Sequence, residues 1–214
     1  MNKSRLLGVL YASVVTMSCM VDVAQASSIV ITDNAEAGFV RSDGFTGTID
    51  IEILNNSNWT FIDQGIAEFN ISGVGYTSVS SAVVKLKNAL VANGLSLPTL
   101  IDVYGYIGDG FVTFTDFDAG SFIKSVIYSG SSNFDIDVTD FINSQLGITT
   151  QIVGFNFRFP GPTSPSLSFL AFDGLDSVNP PLLTLTAIPL PPAFWLLGSG
   201  LLGLIGIAKR KKSA

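Results

Sequence analysis

A chain of 214 residues with no histidine and one cysteine, Cys19, has the length of a single domain with flanking segments. It lacks the side chains on which Ser-His-Asp, Cys-His and most zinc chemistry depend. Its formal charge of -6 hides a sharper division: residues 27–187 carry five basic residues (Arg41, Lys85, Lys87, Lys124, Arg158) against sixteen acids, a net of -11, which disfavours nucleic acid and anionic lipid as partners.

In chain order, the first 26 residues open with Lys3 and Arg5, continue apolar over 6–21, and close on Ala24-Gln25-Ala26. A basic region, an apolar region and an A-x-A site in that order make a secretory signal peptide, with cleavage predicted after Ala26. The competing reading is an uncleaved N-terminal membrane helix. A lipoprotein reading through Cys19 is weaker, because "TMSC" lacks the usual leucine three residues before the cysteine.

Residues 27–187 form the predicted ectodomain, and their dominant period is two. In "TIDIEI" Ile49, Ile51 and Ile53 alternate with Asp50 and Glu52; in "FDIDV" Phe134, Ile136 and Val138 alternate with Asp135 and Asp137. In "IVGFNFRF" Val153, Phe155, Phe157 and Phe159 oppose Gly154, Asn156 and Arg158. Such alternation predicts half-buried strands. Further strands are expected at 66–71, 82–90, 100–107, 111–114, 121–128, 167–172 and 182–186, separated by turn signals such as Ser72-Gly73, Asn93-Gly94 and Gly161-Pro162. One short helix is expected through Phe141, Ile142 and Leu146, capped by Asp137 or Thr139 and ended by Gly147. The sum is an all-β, jelly-roll-like β-sandwich with one short helix.

Residues 188–214 read "IPLPPAFWLLGSGLLGLIGIAKRKKSA". Nineteen uncharged residues from Leu190 to Ala208 span about 28 Å as a helix, enough to cross the hydrocarbon of a bilayer. Prolines 189, 191 and 192 mark its start, Trp195 sits at the interface, and the basic cluster 209–212 stays cytoplasmic, so the ectodomain faces outward. This is the predicted C-terminal transmembrane helix.

Two parts of the chain resemble known families. Pro189-Leu190-Pro191, then an aromatic-bearing run with Gly198-Ser199-Gly200, then Arg210-Lys211 near the terminus, resembles the PEP-CTERM sorting signal in its VPLPA-type variant, with Ile188 for valine and Pro192 for alanine. That resemblance implies a Gram-negative exported protein whose tail holds it transiently in the inner membrane. An exosortase would then process it and release it to the cell surface or the extracellular polysaccharide. Residues 65–186 are similar to the DNRLRE type of carbohydrate-binding-module-like jelly roll, through Asp137-Val138-Thr139 before a short helix, Gly154-Phe155 in a strand, and Pro180-Pro181-Leu182-Leu183 opening the last. Asp173-Gly174 departs from that family's Ser-Arg-Glu.

No catalytic residue is assigned. Trp59, Tyr104 and Tyr106 are candidate sugar-stacking rings, with packing in the sandwich core as the other reading. Asp109, Asp116 and Asp118 in "GDGFVTFTDFDAG" offer oxygens suited to Ca²⁺, yet their spacing is not that of an EF-hand loop, which favours the reading of solvated turn positions. Apart from Ca²⁺ no cofactor is implied. Asp63 and Glu68 could pair as general acid and base in an alternative, hydrolytic function; a structural matrix protein with a permanent anchor is a further alternative.

Overall fold

The computed structural model describes residues 27–32, 34–55, 61–87, 89–91, 95–148, 152–161 and 168–188; the compact unit is Ser28–Ala187. The residues of the expected signal cleavage, Ala24 and Ala26, the candidate ring of Trp59, and the expected sorting segment from Pro189 onward, with Leu190, Pro191, Gly198, Ser199, Gly200, Arg210 and Lys211, lie outside the described residues. Among the described residues no helix is long and apolar enough to cross a membrane.

The architecture is all-β, with two antiparallel sheets arranged as a sandwich. The smaller sheet runs in the order β1 (Ser28–Ile31), β13 (Leu182–Ala187), β6 (Val79–Lys87), β10 (Asn133–Asp137). The larger runs β7 (Leu90–Val91), β12 (Ser168–Asp173), β4 (Asp50–Asn55), β5 (Asp63–Asn70), β11 (Ile152–Arg158), β8 (Thr99–Ile107), β9 (Ser121–Tyr128). To this sheet β2 (Asn34–Arg41) adds by pairing with β5, and β2 carries the two-residue β3 (Thr46–Gly47).

Alternation explains why these segments become strands and where their apolar halves go. Phe134 and Ile136 are buried while Asp135 and Asp137 are exposed. From the smaller sheet Val84, Leu86, Ile136, Leu183 and Leu185 enter one core; Ile51, Phe69, Val103, Phe155, Phe157 and Phe172 enter it from the larger. Rings join the two sheets: Phe134 of β10 stacks on Phe172 of β12 at 5.7 Å, and Tyr128 meets both edge-on. Each such buried side chain contributes about 1.5–3 kcal/mol of transfer free energy, offset in part by lost chain entropy.

The helix α1 (Thr139–Gln145) lies where expected, with one shift at its start. Val138 occupies the cap position, and the Asp137 carboxylate accepts the N–H of Thr139, the first helical residue, at 3.0 Å. The Thr139 hydroxyl accepts the N–H of Ala82, and Asn143 exchanges two hydrogen bonds with the Val79 backbone, so the helix is tied to β6. Its Phe141 rests against Gly105 of β8, where a Cβ would stand 2.7 Å from the ring. Gly147, at φ +85, turns the chain away.

Three expectations change. No strand forms over 111–114: only Val112 is buried there, Phe111 and Phe114 are exposed, and a 3-10 turn, Phe114–Asp116, follows. Ile49 does not share the burial of Ile51 and Ile53; it precedes β4 and is 72% exposed. Strand β1 is an addition, and so is the longer β2. Its sequence "NAEAGFVR" is rich in small residues, and pairing with β5 rather than its own apolar pattern holds it in the sheet.

Candidate functional site

The face of the larger sheet turned away from the main core is not a solvated surface. Register fixes its occupants: Glu36, Gly38 and Val40 of β2 stand opposite Glu68, Ile66 and Gln64 of β5, and Gly154 and Asn156 of β11 lie between β5 and Tyr106 and Tyr104 of β8. The β8–β9 connection, residues 108–120, folds across this face. Val112 packs there with Val40 and Ile66 in a second, small apolar cluster, flanked by Tyr106 and Phe117. All of β11 from Val153 to Phe157 is therefore buried on both faces, where the sequence predicted a half-buried strand.

Carboxylates of the sheet hold the connection by its backbone. Glu68 Oε2 accepts the N–H of Gly110 at 2.7 Å, and Glu36 Oε2 accepts the N–H of Val112. Asp116 Oδ2 accepts the N–H of Thr113 at 2.7 Å within the turn itself. Among the described residues Glu68 Oε1 and the Tyr106 hydroxyl are buried without a well-aligned hydrogen bond, although the two side chains are within reach of each other and Tyr106 of Asp116. Burial pushes the Glu68 carboxyl up to about 7, against the opposing pull of the Gly110 N–H and with reinforcement from Asp116 and Asp109. Asp116 is raised for the same first reason, and Tyr106 is held far above its ordinary value by burial beside Glu68 and Asp116.

Beyond this acidic cluster lies a polar network. Asn156, fully buried, donates to Gln64 Oε1 at 2.9 Å and to the Asp116 carbonyl at 2.8 Å. Gln64 grips Asp118 twice, accepting its N–H at 2.9 Å and donating to its Oδ1 at 2.8 Å. Arg158 donates to Asn156 Oδ1 and the Ala119 carbonyl, sits 3.2 Å from Asp118 Oδ1, and lies 4.0 Å over the Tyr104 ring. Desolvation lowers the pKa of its guanidinium, with Asp118 opposing. Of these groups Gln64, Asp118, Arg158 and Tyr104 line an open cleft of about 370 Å³, together with Asp102, Ile62 and Asn55.

The sequence-predicted site residues fare differently. Tyr104 and Tyr106 leave the main core to Val103 and point to the far face, but neither is a bare platform: Arg158 covers Tyr104, and the Tyr106 ring lies on Gly154, where a Cβ would stand 2.2 Å away. Asp109, Asp116 and Asp118 do not make a ligand set. Asp109 accepts the Phe111 N–H, Asp116 turns to Thr113, and Asp118 to Gln64 and Arg158. Among the described residues no group of three or more acidic, histidine or cysteine side chains could hold a metal ion. Asp63 and Glu68, five apart on β5, lie on opposite faces of the strand, and Asp63 is ion-paired with Arg41 at 2.7 Å. They are not an acid-base pair.

Sequence reading missed Glu36, Gln64, Asn156 and Arg158. A signal for the last two was present: polar residues following Gly154 at two-residue spacing, on a strand opposite two alternating tyrosines, where a glycine leaves room for a ring.

Fold and cleft together define a class, an all-β, two-sheet protein with a preorganised polar cleft on one sheet. The chain matches no protein-family model and no curated protein by sequence.

Proposed function

We propose that this is an exported, non-enzymatic protein of the cell surface or extracellular matrix. A C-terminal signal delivers it there, an exosortase of the inner membrane acts on that signal, and the ectodomain associates with extracellular polysaccharide. The observation that carries the reading is the order of Pro189-Leu190-Pro191, the apolar run with Gly198-Ser199-Gly200, and Arg210-Lys211 at the end opposite a signal peptide closing on Ala24 and Ala26. The jelly-roll reading of the ectodomain draws support from the two antiparallel sheets, between which the chain passes repeatedly.

A non-enzymatic role is supported by the separation of Asp63 from Glu68 and by the absence of histidine from the chain. Polysaccharide association is supported by the mixed carboxylate, guanidinium and ring lining of the cleft. The sorting reading is tested by deleting residues 193–214 in a host that carries an exosortase. The ectodomain is expected to move from membrane and surface fractions to the soluble secreted fraction. Unchanged localisation and processing would exclude a sorting role for the tail.

A further inference from the structure

We infer that the Asp102–Tyr104–Asp118–Arg158 cleft binds a neutral glycan through the hydroxyl donors of the sugar and rejects uronic-acid polymers; this rests on the polysaccharide reading above and narrows it. Several hydrogen-bonding groups of the cleft are already engaged within the protein. Arg158 has committed Nε to Asn156, Nη2 to the Ala119 carbonyl and Nη1 to Asp118. Its charge is answered within the cleft by Asp118 and by Asp102, its register partner on β8. Asp63, on the rim, is neutralised by Arg41. One cation, Arg158, against two carboxylates, Asp102 and Asp118, still leaves the cleft negative, in a domain of net -11.

Two of the five Arg158 N–H donors stay open, but its side chain is only 17% exposed against 66% for Asp118, so the open positions that face solvent are mainly acceptors. Asp118 directs one oxygen to Gln64 and Arg158; Asp102 takes the Ser125 hydroxyl on Oδ1. The second oxygen of each carboxylate has no partner among the described residues, so a ligand must supply donors. A pyranose with adjacent hydroxyls supplies them without charge. A uronate would set its carboxylate against Asp102 and Asp118. Phe122, outside the cleft lining but 56% exposed and edge-on to Tyr104 at 5.6 Å, places an apolar ring beside it for the C–H face of a further sugar unit.

The geometry is held ready. Asp118 is the one non-glycine among the described residues with a positive φ, +60. Aspartate tolerates this conformation better than most residues, but it still needs support from its surroundings. Gln64 clamps it at backbone and side chain, and buried Asn156 fixes Gln64 in turn. A carboxylate held off the common backbone basins by two buried amides is preorganised for a ligand.

The test titrates the full-length chain, in mild detergent, with neutral hexasaccharides (β-1,4-glucan, β-1,3-glucan, β-1,4-mannan) and with uronate hexasaccharides, by calorimetry. At least one neutral probe is expected to bind, with little dependence on ionic strength, and the uronates are not. Asp118→Ala and Asp102→Ala should each weaken binding about tenfold, as for loss of a charge-assisted hydrogen bond. Asp118→Asn, which keeps the backbone preference and one acceptor, should weaken it less. Unchanged thermal unfolding checks that the variants fold. Salt-sensitive binding of a uronate would overturn the specificity and leave the polysaccharide reading standing. Neutral binding that ignores all three variants would overturn the assignment of the cleft. Silence across both sets would overturn the polysaccharide reading and this inference together, with sorting judged separately by the tail deletion.

Discussion

The two faces of β11 carry different physics on one strand. Val153, Phe155 and Phe157 enter a dry core where rings from both sheets interlock; Gly154, Asn156 and Arg158 enter a layer built from amides, carboxylates and a loop backbone. The first face gains from area removed from water and is indifferent to pH. The second gains little net free energy per hydrogen bond, yet each buried group is costly if left unpaired. Burial alone therefore does not distinguish scaffold from site. What distinguishes them is whether polar groups remain open to a ligand, as the second carboxylate oxygens of Asp102 and Asp118 do.

The sharpest way to break the comparison is at its dry half. Phe155 is fully buried and meets Phe69 at 6.1 Å and Phe141 at 5.5 Å, both edge-on. Phe155→Ala should cost about 3–5 kcal/mol of unfolding free energy, read by chemical denaturation, with amide exchange accelerated throughout the domain. A loss below about 1 kcal/mol would mean that the two sheets are not held by this core.

The polar half should respond to pH instead. The Glu68 carboxyl rises from 4.5 unfolded to about 7 folded, so the native state holds the extra proton across that window. Stability is then fully present below about pH 4.5 and is lost as pH rises through about 7, by up to about 3 kcal/mol for this one group. Glu52, raised to about 7 by burial with Asp63 and Asp50 adding, slopes the same way and must be separated. Glu68→Gln, a neutral mimic of the protonated acid, should flatten the decline in unfolding free energy between pH 5 and pH 8; Glu52→Gln should leave the Glu68 share intact. An unaltered slope in Glu68→Gln would show that the carboxyl is ionised throughout.

How much of this was legible in the sequence follows the same division. Period-two patterns placed β10, β11 and β9 because alternation is a local property, and Gly147 ended α1 as expected for the same reason. The acidic run over 109–118 was visible as a cluster, but its destinations were not. Glu68 meets Gly110, and Gln64 meets Asp118, only because β2, β5, β11 and β8 adopt one register, which is set by pairings between residues far apart in the chain. The covered outer face had a similar cause. A sheet face with Asn156 and Arg158 on it reads as solvent-facing until a loop from elsewhere is laid across it.

The smallest expected effect tests whether that loop is held by the polar layer. Asn156→Ala removes the donor to the Asp116 carbonyl and to Gln64, and the acceptor for Arg158 Nε, while leaving every ring of the main core in place. The cost should be about 1–3 kcal/mol, below that of Phe155→Ala one residue away, because what is lost is satisfaction of buried polar groups rather than packing area. Its signature should be local: the amides of Gly110, Val112 and Asp118 should exchange faster while those of β6 and β13 keep wild-type protection. Equal acceleration in both sheets would mean the polar layer and the core unfold as one unit, and the contrast between the two faces of β11 would be chemical without being mechanical.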